Sequence, residues 1–518
     1  MLDDASTLDT VDDHTHGAGI ERPDERPHAV VIGSGFGGLA AAVRLGARGY
    51  RVSVFEQRDQ PGGRAYVYRQ DGFTFDGGPT VITAPFLLEE LWALCGRRLA
   101  DDVELRPVSP FYQIRFHDGE VFNYSGDTEA MCREIARFEP ADVDGYRRYL
   151  EASEATFKVG FEELADVPFH SLRDMLRIVP DIVRLGGAST VYGMTSRYFK
   201  SERLRTVFSF HPLLVGGNPL TTTAIYGLIA YLEKHYGVFF AMGGTGSLIQ
   251  GLVNLVRGQG GSVTCDAPVR EITVDDGRAS GVRLGDGTHV AADIVVSNGD
   301  AAWTYANLLP GRKRKRWTDG KIKRSRYSMS LFVWYFGTDR QYPDVEHHTI
   351  LLGPRYRGLL TDIFGRKELA DDFSLYLHRP TATDPTLAPE GCDAFYVLSP
   401  VPHQDSDVDW EEMGERYRQR IADFLESTTL PGLGDAVVSS HFITPRHFED
   451  DLLSFRGAAF GLEPTLLQSA WFRAHNRSEE LDGLYLVGAS THPGAGVPGV
   501  LSSAKVLDKV VPHAETLA

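Results

Sequence analysis

The feature that most constrains this chain is a short stretch near its start where an apolar strand, a glycine loop, a small-residue helix and a second apolar strand follow without a break. Ala29 to Ile32 reads as a β-strand, and Gly33-x-Gly35-x-x-Gly38 follows it. Leu39 to Arg48 has the composition of a helix, Gly49 ends it, and Arg51-Val-Ser-Val-Phe55 closes on Glu56. A lone GxGxxG is a weak pattern, but in a strand–turn–helix–strand setting it predicts a dinucleotide site. Gly33 permits the tight turn, Gly35 lets backbone approach a pyrophosphate, and Gly38 lets helix and strand pack closely. The helix N-terminus then offers free N–H groups to the phosphates. Glu56 lies 23 residues after Gly33, where a carboxylate can take ribose hydroxyls.

A second glycine turn follows directly, Gln57-Arg-Asp-Gln-Pro-Gly-Gly-Arg64. A simple nicotinamide site has no need of it, whereas an extended FAD must thread past backbone at its pyrophosphate and its ribityl chain. Arg64 can offset phosphate charge or hydrogen-bond the flavin. The glycine pattern returns at Met242-Gly-Gly-Thr-Gly-Ser-Leu-Ile249, which opens a helix ending near Gly258. Strands are predicted at 262–265 and 269–274, hairpins at Asp275–Arg278 and Gly285–Thr288, and a buried strand within Ala292–Asn298. Near the end, Leu484–Val487 reads as a last buried strand. The Gly/Pro loop 493–499 then delivers a second helix N-terminus, whose dipole favours negative charge on a reduced flavin.

These pieces predict an α/β fold, a Rossmann-like FAD-binding domain assembled discontinuously from residues 28–100, 240–305 and 475–518. An α+β substrate domain from residues 101–239 and 306–474 is inserted into it. Residues 1–27 are polar and poor in large apolar side chains, which predicts a disordered acidic tail. The net charge of −17 argues against nucleic acid as a partner. Cys95, Cys132, Cys265 and Cys392 form no CxxC, which fits a reducing compartment. No apolar run approaches the ~18 residues of a spanning helix, so the expected location is cytoplasmic.

Three further stretches stand out. Pro168 to Gly187 places Leu172, Met175, Leu176, Val179 and Ile182 on one face, as a helix docked on a core would; the sharper reading is a helix bordering an apolar tunnel or lying on a membrane. Residues 312–326 hold nine basic residues against one acid. They predict a solvated charged face or, with Trp317, a contact with anionic lipid. His378 and His403 stand alone, without metal-ligand spacing, and no metal is expected.

Taken together the motifs resemble the bacterial phytoene desaturases, a family of FAD-dependent carotenoid desaturases. The resemblance rests on the Gly33–Gly38 loop with Glu56, on Pro61-Gly-Gly-Arg-Ala-Tyr-Val-Tyr68 with Gly72-Phe-Thr-Phe-Asp-Gly-Gly-Pro-Thr-Val-Ile-Thr83, and on Leu484-Tyr-Leu-Val-Gly-Ala-Ser-Thr-His-Pro-Gly-Ala-Gly-Val-Pro-Gly499. It covers essentially the whole chain from residue 28; the acidic tail is the departure. The resemblance implies non-covalent FAD held by Gly33, Gly35, Gly37, Gly38, Glu56, Gln57, Gly63, Arg64, Pro79, Thr80, Val269, Gly488, Ala489, Gly496 and Val497. It further implies desaturation of 15-cis-phytoene through partly desaturated polyenes toward all-trans-lycopene, by successive hydride transfers to flavin, on the inner face of the cell membrane. Oxygen or a quinone would be the electron acceptor. Asp174 is the candidate proton acceptor, in a stretch, Ser171 to Arg177, that resembles the family's helix near the flavin, with Arg173 and Arg177 to keep it ionised or position it, against the plain reading of an i,i+3 surface ion pair with Arg177. A polyene isomerase, a partial desaturase, an amine oxidase, or a flavin-free prenyl-protein carrier of the GDP-dissociation-inhibitor type are the alternatives.

Overall fold

The computed structural model describes residues 25–517, so the tail expected over 1–27 falls almost wholly outside the described residues. A five-stranded parallel sheet forms the nucleotide half. Its strands are β1 (His28–Ile32), β2 (Arg51–Phe55), β3 (Ser262–Thr264), β4 (Ile294–Ser297) and β7 (Leu484–Leu486), in the order β7-β4-β1-β2-β3. Residues from three distant segments thus complete one sheet. β1 lies at its centre, with Ala29 opposite both Ile294 and Val52. Strands buried on both faces read as unbroken apolar runs, which is why Ala29, Val30 and Val31 are wholly buried.

One face of that sheet carries the helices α1 (Phe36–Ala47), α3 (Thr245–Gly258) and α4 (Val497–Val510). α1 starts three residues before the expected Leu39, because the glycine motif itself supplies the first turn, with Gly35 as N-cap. Arg44 of α1, only 2% exposed, binds Glu90 and Asp508 at 2.9 and 2.6 Å and ties α1 to its neighbours. The other face is covered by an antiparallel sheet of Val269–Asp275, Arg278–Leu284 and His289–Ala291, joined by the two expected hairpins.

The second half is a seven-stranded sheet. Its order is Val437–Ile443, Ser330–Thr338, Asp393–Val401, β6 (Leu375–His378), β5 (His348–Leu352), Tyr112–Phe116 and Val121–Tyr124. Both inserted segments therefore contribute strands to one sheet. The Ser330–Thr338 strand is buried throughout.

Two expectations need correction. Trp317 meets no lipid: it is fully buried, packed near Tyr305 and Ile322 against the parallel sheet. The backbone of the basic run around it is held from far along the chain. Glu480 accepts the backbone N–H of Lys315, Arg316 and Trp317 at 2.6 to 2.7 Å, and Glu479 pairs with Arg316. Burial beside Arg316 also lowers the Lys321 ammonium to about 8. The second correction concerns the helix α2 (Leu172–Arg184). Three of the five residues of its expected docked face are in solvent, Leu172, Leu176 and Val179 being between 40% and 61% exposed, and Met175 alone is buried within the helix.

Candidate functional site

One cavity of about 590 Å³ runs from the glycine loops to α2, between the two halves of the molecule. At the nucleotide end it is built from backbone. Gly33 adopts φ +88°, and a Cβ at Gly38 would stand 2.0 Å from the Gly33 carbonyl oxygen, so only glycine lets α1 lie this close to β1. The second glycine turn docks on the first through a bridge between Gly35 and Gly62, and Gly62 N–H donates to the Ser34 carbonyl at 3.2 Å. The closing segment arrives on the other side, where Gly488 leaves room for Asn298. The N-terminus of α4, capped at Gly496, faces the same space.

Of the fifteen residues carried over to the cofactor, all but Gly38 line this cavity, and Gly38 shapes it from behind. Glu56 is buried and held in place. One carboxylate oxygen accepts Ser34 N–H and Oγ–H at 2.9 and 2.7 Å, and the other accepts Arg58 N–H at 3.1 Å. Arg64 donates to the Ala459 carbonyl and to Ser454 Oγ, both at 2.7 Å, and burial lowers its guanidinium's pKa. Thr80 Oγ1 lies 2.7 Å from Tyr396 Oη.

Sequence reasoning missed several residues here. Asn298, at the end of β4, sits among the glycines: a Cβ at Gly37 would come within 2.6 Å of its Oδ1. Asp300 caps the helix Ala301–Asn307, accepts Ser490 Oγ–H at 2.6 Å and lines the cavity. Arg473, nearly fully buried, donates to the Ala489 carbonyl at 2.8 Å and so braces the closing loop. Burial and Arg473 depress the neighbouring His492 to about 3, which keeps that cavity-lining imidazole neutral. The Ser297-Asn-Gly-Asp300 turn, directly after a buried strand, was the available signal for the first two.

The far end is mainly apolar, although Asp181 of α2 also lies on its wall. Met175, Ile178 and Ile182 of α2, with Leu185 just after it, line the cavity together with Leu213, Ile225, Leu228 and Ile229. Asp174, Arg173 and Arg177 are not on its wall. Asp174 closes a capping box at the start of α2: its Oδ2 accepts Ser171 N–H and Oγ–H at 3.0 and 2.8 Å, while Ser171 Oγ accepts Asp174 N–H. Those bonds to Ser171 lower its pKa and keep it ionised.

His378 does not stand alone. β5 and β6 pair antiparallel with His348 opposite His378, and His347 precedes them, so sheet register gathers three imidazoles from positions about 30 apart in the chain. His403 accepts Asp405 N–H at Nδ1 at 3.2 Å and belongs to no such cluster among the described residues.

The glycine cradle, the α1 and α4 N-termini and buried Glu56 fit an extended flavin dinucleotide, and comparisons agree. Residues 36–506 match the model of the flavin-containing amine oxidoreductases. A neurosporene-forming phytoene desaturase from Cereibacter sphaeroides is 49% identical over 96% of both chains. A lycopene-forming one from Pseudescherichia vulneris is 51% identical over 92% of this chain and 97% of its own. The chain belongs to the phytoene desaturases. The fold is shared with solved structures of low sequence identity. A double mutant of putrescine oxidase superposes with a TM-score of 0.62 at 13% identity, over 94% of this chain and 99% of its own. An oxidoreductase from Methanosarcina mazei does so with a TM-score of 0.61 at 18% identity, over 93% of this chain and all of its own. As a phytoene desaturase family member, the protein is a flavoprotein and its cofactor is FAD.

Proposed function

We propose that the protein desaturates 15-cis-phytoene toward all-trans-lycopene, passing through partly desaturated polyenes. The observation that carries this reading is the shape of the cavity, which leads from the FAD cradle into an apolar passage walled by α2. A hydrocarbon offers no polar handle, so its affinity comes from buried apolar area at about 25 cal/mol per Å², less the costs of binding. When bound, FAD supplies the hydride acceptor. The chain's own share is to exclude water along the passage, to hold the polyene, and to receive the proton.

Asp174 is the proposed proton acceptor, kept ionised chiefly by its hydrogen bonds with Ser171 and to a lesser extent by Arg177. Loss of a hydride makes the adjacent C–H strongly acidic, so a weak carboxylate base suffices. Support comes from its position at the start of the helix that walls the passage. The exposed apolar residues of the same helix fit a peripheral docking on the inner face of the cell membrane, through which a lipid-dissolved substrate would enter. Among the described residues no helix is long and apolar enough to cross a membrane.

The two relatives carry different product names, which favours a second reading in which the reaction stops at neurosporene. One experiment separates the readings. FAD-loaded protein is mixed with phytoene in liposomes, and the product's absorption spectrum is recorded with oxygen or with a quinone as acceptor. The lycopene spectrum is expected. A spectrum ending at the shorter neurosporene chromophore replaces it with the second reading, and unchanged phytoene with both acceptors refutes both.

A further inference from the structure

The three histidines gathered by the β5–β6 register have no part in the reaction as derived above, and they are unusual for a protein interior. His348 and His378 are fully buried and His347 is 4% exposed. His347 and His348 each use Nδ1 in a hydrogen bond, to Thr383 Oγ1 and Tyr376 Oη, both at 2.6 Å. The Nε2 atoms of His347 and His348 and both ring nitrogens of His378 are buried without a hydrogen-bond partner. Leaving buried polar atoms unpaired is costly, and a concentrated group of them calls for an explanation. One nitrogen from each ring lies within 4.8 Å of the other two.

This is the arrangement of a metal-binding imidazole set. Ligating histidines commonly bind the ion through one nitrogen and donate the other N–H to an outer group that fixes tautomer and ring orientation. Thr383 and Tyr376 are such groups. We propose that His347, His348 and His378 hold one d10 transition-metal ion, Cu+ or Zn2+, outside the FAD site.

The unpartnered Nε2 atoms of His347 and His348 and the unpartnered ring nitrogens of His378 are the atoms that can turn to one ion. Three nitrogens about 2.0–2.1 Å from one ion stand ~3.5 Å apart, so the rings need close by little more than about 1 Å. No carboxylate joins the three, and the nearby Arg379 is already paired with Asp393 at 2.9 Å. Desolvation grows with the square of the charge, which favours Cu+ over Zn2+. Phe240 and Tyr396, with ring centroids 4.7 Å from those of His347 and His378, make the surroundings dry. Through Tyr376 the cluster reaches the cavity, because that tyrosine lines the wall beside Thr80.

The test is metal uptake by chelator-treated, FAD-loaded full-length protein, with Cu+ delivered from a competing chelator and Zn2+ in a parallel arm. One equivalent of either ion is expected, with affinity falling at least 100-fold in His348→Leu and in His378→Leu while FAD stays bound. Uptake of neither ion, or uptake unchanged in both variants, overturns the proposal. Should the variants fail to fold, X-ray absorption on the metal-loaded wild type decides. Three nitrogen scatterers at about 2.0 Å support the site, and any sulfur-containing or oxygen-only shell overturns it.

Discussion

The two ends of the cavity use opposite means. The FAD end is a backbone device: glycines at tight approaches, two helix N-termini, and a carboxylate clamped by Ser34 and Arg58. The far end is a side-chain device, in which α2 lends Met175, Ile178 and Ile182 to the passage and leaves Leu172, Leu176, Val179 and Val183 in solvent. Backbone geometry tolerates almost no substitution and recognises one rigid shape. An apolar wall tolerates many substitutions and recognises area. The first end should therefore fail abruptly when changed and the second gradually.

The largest effect is expected at Gly38. An alanine Cβ there meets a carbonyl oxygen at 2.0 Å, and backbone cannot swing aside as a side chain can. Gly38→Ala should yield protein without bound flavin absorbance and with stability reduced by about 3 kcal/mol or more. Gly258→Ala, where a Cβ would meet nothing within 4 Å, is the control and should keep its flavin. Equal flavin content in both would break the contrast. Next comes Asp174, where capping and catalysis have to be parted. Gln at the third helical position keeps a capping box yet cannot take a proton. Asp174→Gln should preserve FAD and liposome binding while lowering turnover roughly 10²–10⁴-fold. Near-normal turnover would leave Asp174 a helix cap only.

The same contrast explains what could be read from the sequence. The glycine loops, the parallel strands and the hairpins are local constraints, so Gly33 to Glu56 and the 275–288 turns announce themselves within a few residues. Amphipathy revealed the helix at 172–184 but not what its apolar face meets, because periodicity carries no information about partners. Glu480 lies more than 160 residues from the basic run it binds, and His348 finds His378 only through strand register. Neither leaves a local signature. Asn298 has one, a polar residue ending a buried strand before Gly299, but the surrounding glycines dominate the pattern.

Asp76 lies where the two halves join, under the N-terminus of α3, and its Oδ1 accepts Thr245 N–H at 2.9 Å. Burial raises its carboxyl from 3.8 to about 6, against the lowering by Thr245 and Gly246 N–H. A folded-state pKa above the unfolded one stabilises the fold fully below about pH 4, and that contribution is lost as pH rises through about 6. The shift of roughly two units corresponds to ~3 kcal/mol. Asp76→Asn keeps the acceptor for Thr245 and has nothing to ionise, so the stability difference between variant and wild type should move in the variant's favour between pH 4 and 7. Thermal melts across that range check it, and parallel curves would show that Asp76 titrates as it does in the unfolded chain.

The smallest effect separates the two surfaces that could meet a bilayer. Leu172 and Leu176 are 53% and 61% exposed on α2, and sinking roughly 80 Å² of that apolar surface into lipid should contribute about 2 kcal/mol at 25 cal/mol per Å². Leu172→Ser with Leu176→Ser should therefore weaken liposome binding by about 30-fold, with flavin content unchanged. In the basic run Arg314 and Arg316 already pair with Asp319 and Glu479, and Trp317 is buried. Replacing Lys313 and Lys315 by Gln should change binding to anionic liposomes less than threefold, whereas a free polybasic patch would lose about 1 kcal/mol per charge. If the lysine pair proves the costlier change, the membrane lies against residues 312–316 and α2 is only the wall of the passage. If the leucine pair does, the helix that lines the passage is also the one that meets the lipid, and a hydrocarbon can move from bilayer to cavity without crossing water.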